Sequence, residues 1–346
     1  MKLSRKAFVL GMASMASLAT LRGEADETAL SFNFKSSFWV NLHHRLFMQA
    51  QATAEQRQSP LQPGGSSWNA LAFASLHEMQ LNAEQGSQWA RAVDRYASYA
   101  DFELLDPPMP GIAAALAIAD EAVPAAGPTL HPPLVEALLI AADVYRNTQW
   151  PADDRLNRQW ITEVEQRAAT VSPAMTASLQ AAYGDPFPVG PFRVDVTTFA
   201  NWAGCYTNTD PIQIFISPRD LRNTVTHKSV PNRGELSFEL LFHEASHTVV
   251  TPGYGAIGRG IEDAATRLGV HEPAGLWHAF IFYTAGAVAR RQLGNAKYKM
   301  AAEVLDLWSG PWKDYGKALA QHWQPFLDGK DTRSASIDNV VMSIGS

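Results

Sequence analysis

Cysteine is almost absent from this sequence: Cys205 is the single one in 346 residues. Intramolecular disulfides are therefore excluded, and so is any zinc site built on two or more cysteines of the chain. Charge of one sign is also missing as a block. The formal net charge of −6 is spread along the chain, so neither a nucleic-acid surface nor an acidic tail is written into it. Past the N-terminal leader there is no run of eighteen apolar residues, which excludes a membrane-spanning helix and stable membrane insertion on this pattern. No internal repeat is visible. What remains is an ordinary globular balance, 46% apolar and 18% charged, in a chain long enough for one large domain or two modest ones.

Residues 1–25, "MKLSRKAFVLGMASMASLATLRGEA", have a basic start, an apolar stretch and small residues after it. That is the layout of a secretory signal peptide and predicts export to the periplasm or the medium. The "SRKAF" segment resembles a twin-arginine signal with Lys6 at the second arginine. Residues 26–180 read as a helical region, with apolar spacing of the helical kind in "FWVNLHHRLFMQAQATAEQRQ" and in "PPLVEALLIAADVYRNTQW", the latter opened by a proline pair. From 181 the composition shifts to Pro, Gly, Thr, Val, Ile and Phe. Strands are predicted at Phe192–Phe199 and Ile212–Ser217, followed by further helices. Helices, a small sheet, then helices again predict an α+β fold dominated by helix.

The most informative stretch is "GELSFELLFHEASHTVVTPG", Gly234–Gly253. Asn232 and Glu235 form a plausible capping pair for a helix from about Arg233 to Val250. On such a helix His243 and His247, four residues apart, point the same way from adjacent turns. Two imidazoles on one face can grip one metal ion. Glu244, beside the first histidine, is placed to accept a proton from a metal-activated water without ligating the metal. An unpartnered His-Glu-His trio would be costly to bury in so apolar a helix. The alternative is a buried structural trio in an exported helical binding protein, with a structural metal or none.

In these five residues, H-E-x-x-H, the chain resembles the zincin superfamily of zinc metallopeptidases, on the gluzincin-like side. The extended metzincin pattern does not follow His247, and Ala245 stands where such enzymes usually carry a bulky apolar residue. The resemblance covers about Phe192 to Leu293. It implies a zincin-like catalytic unit over 181–346 packed with the helical region, one zinc ion, and hydrolysis of a peptide or protein substrate with Glu244 as general base.

A catalytic zinc takes three protein ligands and keeps one position open. Downstream candidates for the third are Glu262, Asp263, His271, Glu272 and His278. The helix "PAGLWHAFIFYTAGAVARRQL" is the best placed to run back beside the motif, and His278 sits on its apolar stripe; Glu262, at the start of a short helix, is the rival. Tyr283, five residues past His278, is a candidate to stabilise an oxyanion, or an aromatic packing residue. His43 and His44 are adjacent, so on a helix they point about 100° apart and do not make a one-metal site by themselves. "GCYTNTDPIQIFISP" could supply the edge strand along which an extended peptide lies, with Ile212–Ile216, bounded by Pro211 and Pro218, as the run of the right length, or that run is a purely structural strand. Gly204-Cys205 is also similar to the metal-binding cysteine context of peptide deformylases, but the remainder of that pattern is missing; Cys205 reads more simply as a small buried hydrophobe.

Overall fold

Two hydrophobic cores lie on opposite faces of one small sheet. The structure, a computed structural model, describes residues 29–58, 79–119, 121–200, 204–226, 228–295, 297–310 and 312–345; residues 1–25, expected to be a signal peptide, lie outside the described residues. The chain enters through strand β1 (Ser31–Lys35) and helix α1 (Phe38–Gln58), then α2 (Ala83–Tyr96), α3 (Met109–Ala119), α4 (Pro132–Thr148) and the long α5 (Trp150–Tyr183). Next come β2 (Pro191–Val196), β3 (Cys205–Thr209), β4 (Ile212–Ile216) and a two-strand ribbon, β5 (Leu221–Arg222) with β6 (Ser229–Val230). Helices α6 (Glu235–Ser246), α7 (Gly255–Leu268) and α8 (Leu276–Gln292) follow. The C-terminal part adds α9 (Ala301–Val304), α10 (Lys313–Ala318), α11 (Gln324–Leu327) and α12 (Arg333–Gly345). The fold is α+β and mostly helical.

The sheet has the order β1-β2-β4-β3. β1, β2 and β4 are parallel and β3 is an antiparallel edge strand, so Ile212–Ile216 lies inside the sheet and Cys205–Thr209, not that run, forms its edge. Because side chains alternate along a strand, the faces separate cleanly. Val194, Val196, Ile214, Ile216 and Cys205 join the core made with Trp160 and Leu179 of α5, Phe238 and Phe242 of α6, and Phe280 of α8. Phe215 and Tyr206 point the other way, into a core with Trp39 and Leu46 of α1, Trp89 of α2 and Leu138 of α4. The sheet draws on both sides of residue 180, since β1 pairs with β2 across a long connection. β1 falls inside residues 26–180, expected to be helical, and corrects that expectation at its start, because its pairing partner is far away in sequence.

Local sequence accounts for the ends of several helices. Asn82 and Gln85 form a reciprocal capping box at the start of α2. α4 opens on Pro132 and Pro133, where a missing N–H costs nothing. α5 ends on Gly184 in the left-handed conformation. The turn between α6 and α7 demands glycine for a different reason. A Cβ on Gly255, where φ is +67°, would lie 2.0 Å from the Val249 carbonyl oxygen, and one on Gly258 would lie 2.0 Å from that of Thr251. The chain can fold back this tightly only without those side chains.

Candidate metal centre

Helix α6 is buried from Leu236 to its end at Ser246. Its N-cap is Gly234, which makes no side-chain capping bond, so the predicted Asn232–Glu235 pair does not form. Asn232 is drawn inward instead: its amide donates to the Ser217 carbonyl and accepts from Ser237 Oγ at 3.1 Å. Glu235 accepts from Asn295 Nδ2 at 2.9 Å. The helix stops at Ser246, with His247 as its C-cap, earlier than the apolar run predicts. Thr248 N–H and Val249 N–H then bond three residues back, at 3.1 Å each, tightening the final turn.

The helical repeat brings the rings of His243 and His247 to 5.1 Å between centroids. α8 packs on α6 and delivers the ring of His278 at 5.1 Å from His243 and 4.9 Å from His247. Nε2 of His243 and Nε2 of His278 are 3.1 Å apart. One ligand atom from each of the three histidines lies within 4.8 Å of the others. Metal–nitrogen bonds of about 2.0–2.1 Å at tetrahedral angles place ligand nitrogens roughly 3.3 Å apart, so the closest pair already has that spacing. Among the other sequence candidates, Glu262, Asp263 and His271 are exposed on or after α7, and His271 Nδ1 meets the Glu272 carbonyl at 3.1 Å. The geometry gathers His278, not Glu262, with the motif pair.

Burial lowers the basicity of all three imidazoles, and for His243 and His247 the neighbouring rings lower it further. His278 falls to about 4. At neutral pH all three are uncharged, the state that metal binding requires. Aromatic rings wall the trio. Trp277 stacks on His278 at 5.0 Å and 15°, Trp312 meets it edge-on at 5.3 Å, and Phe282 lies 3.9 Å from the His243 ring. Trp312 lies beyond Leu293, where the motif resemblance ends, and the contacts of the folded chain bring it here.

Glu244 sits 4.0 Å from His243 Nε2 through Oε1, and 4.0 Å from His247 Nε2 through Oε2. It is beside the nitrogens and not among the clustered ligand atoms. Edge strand β3 holds it. Thr207 Oγ1 lies 2.7 Å from Oε2 and 3.0 Å from the Glu244 carbonyl oxygen, and the Cys205 thiol also bonds the carboxylate. Burial pushes the Glu244 carboxyl up to about 7, against the lowering effect of the Cys205 and Thr207 bonds. A carboxyl that titrates near neutrality is well matched to taking and returning a proton at physiological pH. Cys205 is buried, and its thiol is raised well above its usual range by burial and by Glu244, so it acts as a neutral donor. The role of these two residues was open to sequence reading only through strand alternation, which puts positions 205 and 207 on one face.

Tyr283 is not brought to the trio. It lies some 140° around α8 from His278, its hydroxyl donates to Gln324 Oε1 at 3.0 Å, and burial raises it to about 12. His43 and His44 are fully buried in the other core. His43 Nδ1 pairs with Tyr96 OH, while His44 bonds the Val40 carbonyl at 2.8 Å and Tyr206 OH at 2.7 Å.

Comparison with known protein families, with curated proteins and with solved structures returned no match for this chain.

Proposed function

We propose that this chain is an exported zinc-dependent hydrolase of the zincin type that acts on a peptide or protein substrate. His243, His247 and His278 hold the metal and Glu244 serves as general base. The observation that carries the reading is the convergence of three neutral imidazoles on one point, with a carboxyl of near-neutral affinity 4.0 Å from two of them. A zinc ion on this trio supplies a Lewis acid that makes a water acidic enough to be activated at neutral pH. Glu244 accepts that proton and returns it to the leaving group, while Thr207 and Cys205 keep its carboxylate turned toward the histidines. The antiparallel edge strand β3, packed beside α6, is the natural rail for an extended substrate.

A second reading, an exported helical binding protein with a structural metal or none, draws on one observation. His243 Nδ1 is buried without a hydrogen-bond partner among the described residues, whereas a ligating histidine ordinarily donates from its second nitrogen. Metal analysis and a peptide-library hydrolysis assay on wild type and Glu244→Gln separate the two. The enzyme reading requires about one zinc per chain in both proteins and cleavage only in wild type. Zinc in both without cleavage in either supports a structural metal; absence of zinc from both removes the site altogether.

A further inference from the structure

Arg45 is carried on α1 and is fully buried. Its Nη2 donates to Asp153 Oδ2 at 2.7 Å. Aromatic rings lie close to its guanidinium carbon, Tyr145 at 5.4 Å and Phe199 at 5.0 Å. Nε and Nη1 have no hydrogen-bond partner among the described residues. One N–H on Nε and two on Nη1 are thus withdrawn from water with no acceptor. Asp153 is already engaged: Oδ2 also accepts from Tyr145 OH at 2.8 Å, and Oδ1 accepts from Gln149 Nε2 at 3.1 Å and faces Arg219 Nη2 at 3.7 Å. Arg219 reaches the same Phe199 ring at 5.0 Å. Two guanidiniums therefore meet at one carboxylate and one aromatic ring. Buried donors left unfilled are costly, and a negatively charged acceptor makes the stronger, charge-assisted bonds to a guanidinium.

We propose that a small monovalent anion, a halide or a one-carbon carboxylate, binds at the unfilled edge of Arg45 beside Arg219. Complete burial of Arg45 selects for small size, and the orphaned N–H groups select for an acceptor without protons. The place is one where sheets commonly hold ligands: Phe199 and Arg219 each follow the carboxyl end of a parallel strand, β2 and β4. The bound anion ties α1 and the start of α5 to the loops leaving the sheet. Nothing in this site depends on the histidine trio.

The test is thermal unfolding of the full chain with increasing chloride, bromide or formate, at ionic strength held constant with gluconate. The expected result is a saturable rise of a few degrees with the small anions. Arg45→Met abolishes the response, and Arg219→Gln raises the half-saturating concentration about tenfold. In crystals grown with bromide, an anomalous peak is expected within hydrogen-bonding distance of Arg45 Nη1. If Arg45→Met does not fold, the Arg219→Gln titration and the bromide peak decide. Lack of a saturable rise, an unchanged response in the variants, a response to sulfate alone, or bromide sites only elsewhere would each overturn the assignment.

Discussion

Among the described residues two groups of buried or half-buried histidines lie on opposite sides of the sheet, and they behave as opposites. His43 and His44 are neighbours in sequence and diverge, and each engages a tyrosine hydroxyl: His43 that of Tyr96, His44 that of Tyr206. His243, His247 and His278 come from two helices and converge, with two Nε2 atoms facing each other at 3.1 Å. A hydroxyl can serve an imidazole nitrogen as donor or acceptor; with the Val40 carbonyl it satisfies both nitrogens of His44, and it satisfies Nδ1 of His43, whose Nε2 has no partner among the described residues. Two neutral imidazoles can share only one proton, so a converging trio leaves lone pairs directed at a common point. Burial of a histidine is common to both groups. Convergence without protic partners is what separates a candidate ligand set from a packed core.

Ligand removal should break this contrast most strongly. His278→Ala is expected to weaken zinc binding about a hundredfold or more, measured by competition with a chromogenic chelator, whereas His44→Phe should leave zinc affinity unchanged. A chelator should lower the midpoint of thermal unfolding of wild type and not that of His278→Ala.

Acid is the next probe, because it acts on the non-converging pair whether or not metal is present. Burial lowers His44 to about 4, from 6.5 in the unfolded chain. Below pH 6.5 the unfolded state then binds the extra proton and the native state does not. The stability is complete above about 6.5 and is lost as pH falls towards 4, about 3 kcal/mol for this one residue. Urea titrations at pH 7 and pH 4.5 should show a smaller loss in His44→Phe than in wild type; an equal loss would mean that His44 is not the group responsible.

A finer test concerns Glu244. Removing the Thr207 hydroxyl with Thr207→Val takes away a bond that favours the carboxylate, so Glu244 should titrate above its present value of about 7. Hydrolysis at pH 7 is expected to fall about five- to tenfold, with the acid limb of the pH–rate profile moved upward and Thr207→Ser restoring both. The smallest effect belongs to Tyr283→Phe. It should cost about 1 kcal/mol of stability through the lost bond to Gln324 and leave zinc content and hydrolysis within about twofold; a large drop in turnover would return Tyr283 to the chemistry.

The parts legible in the sequence were those set by local period. Four-residue spacing placed His243 and His247 on one face, and the apolar stripe of "LWHAF" marked a helix able to return beside them. Strands at β2 and β4 showed in runs of Val, Ile and Phe. The unread parts depend on partners distant in the chain. β1 is a five-residue strand whose pairing residues lie past 190, with nothing local to distinguish it from a loop. Asn232 has the composition of a helix cap, yet a buried acceptor at Ser217 and the hydroxyl of Ser237 compete for its amide and win. Trp312, in the C-terminal part, belongs to the site only through the way α8 and α10 meet.

Strand β3 reaches Glu244, beside one histidine group, and His44 of the other. Cys205 and Thr207 reach Glu244 on one side, and Tyr206 between them reaches His44 on the other. Its reading frame is therefore shared. A single-residue insertion or deletion inside β3 would exchange the two faces, presenting a phenol to the carboxyl and a small side chain to the imidazole. Length variation in this strand is ruled out in steps of one even where substitution is tolerated, so drift here is confined to residue type.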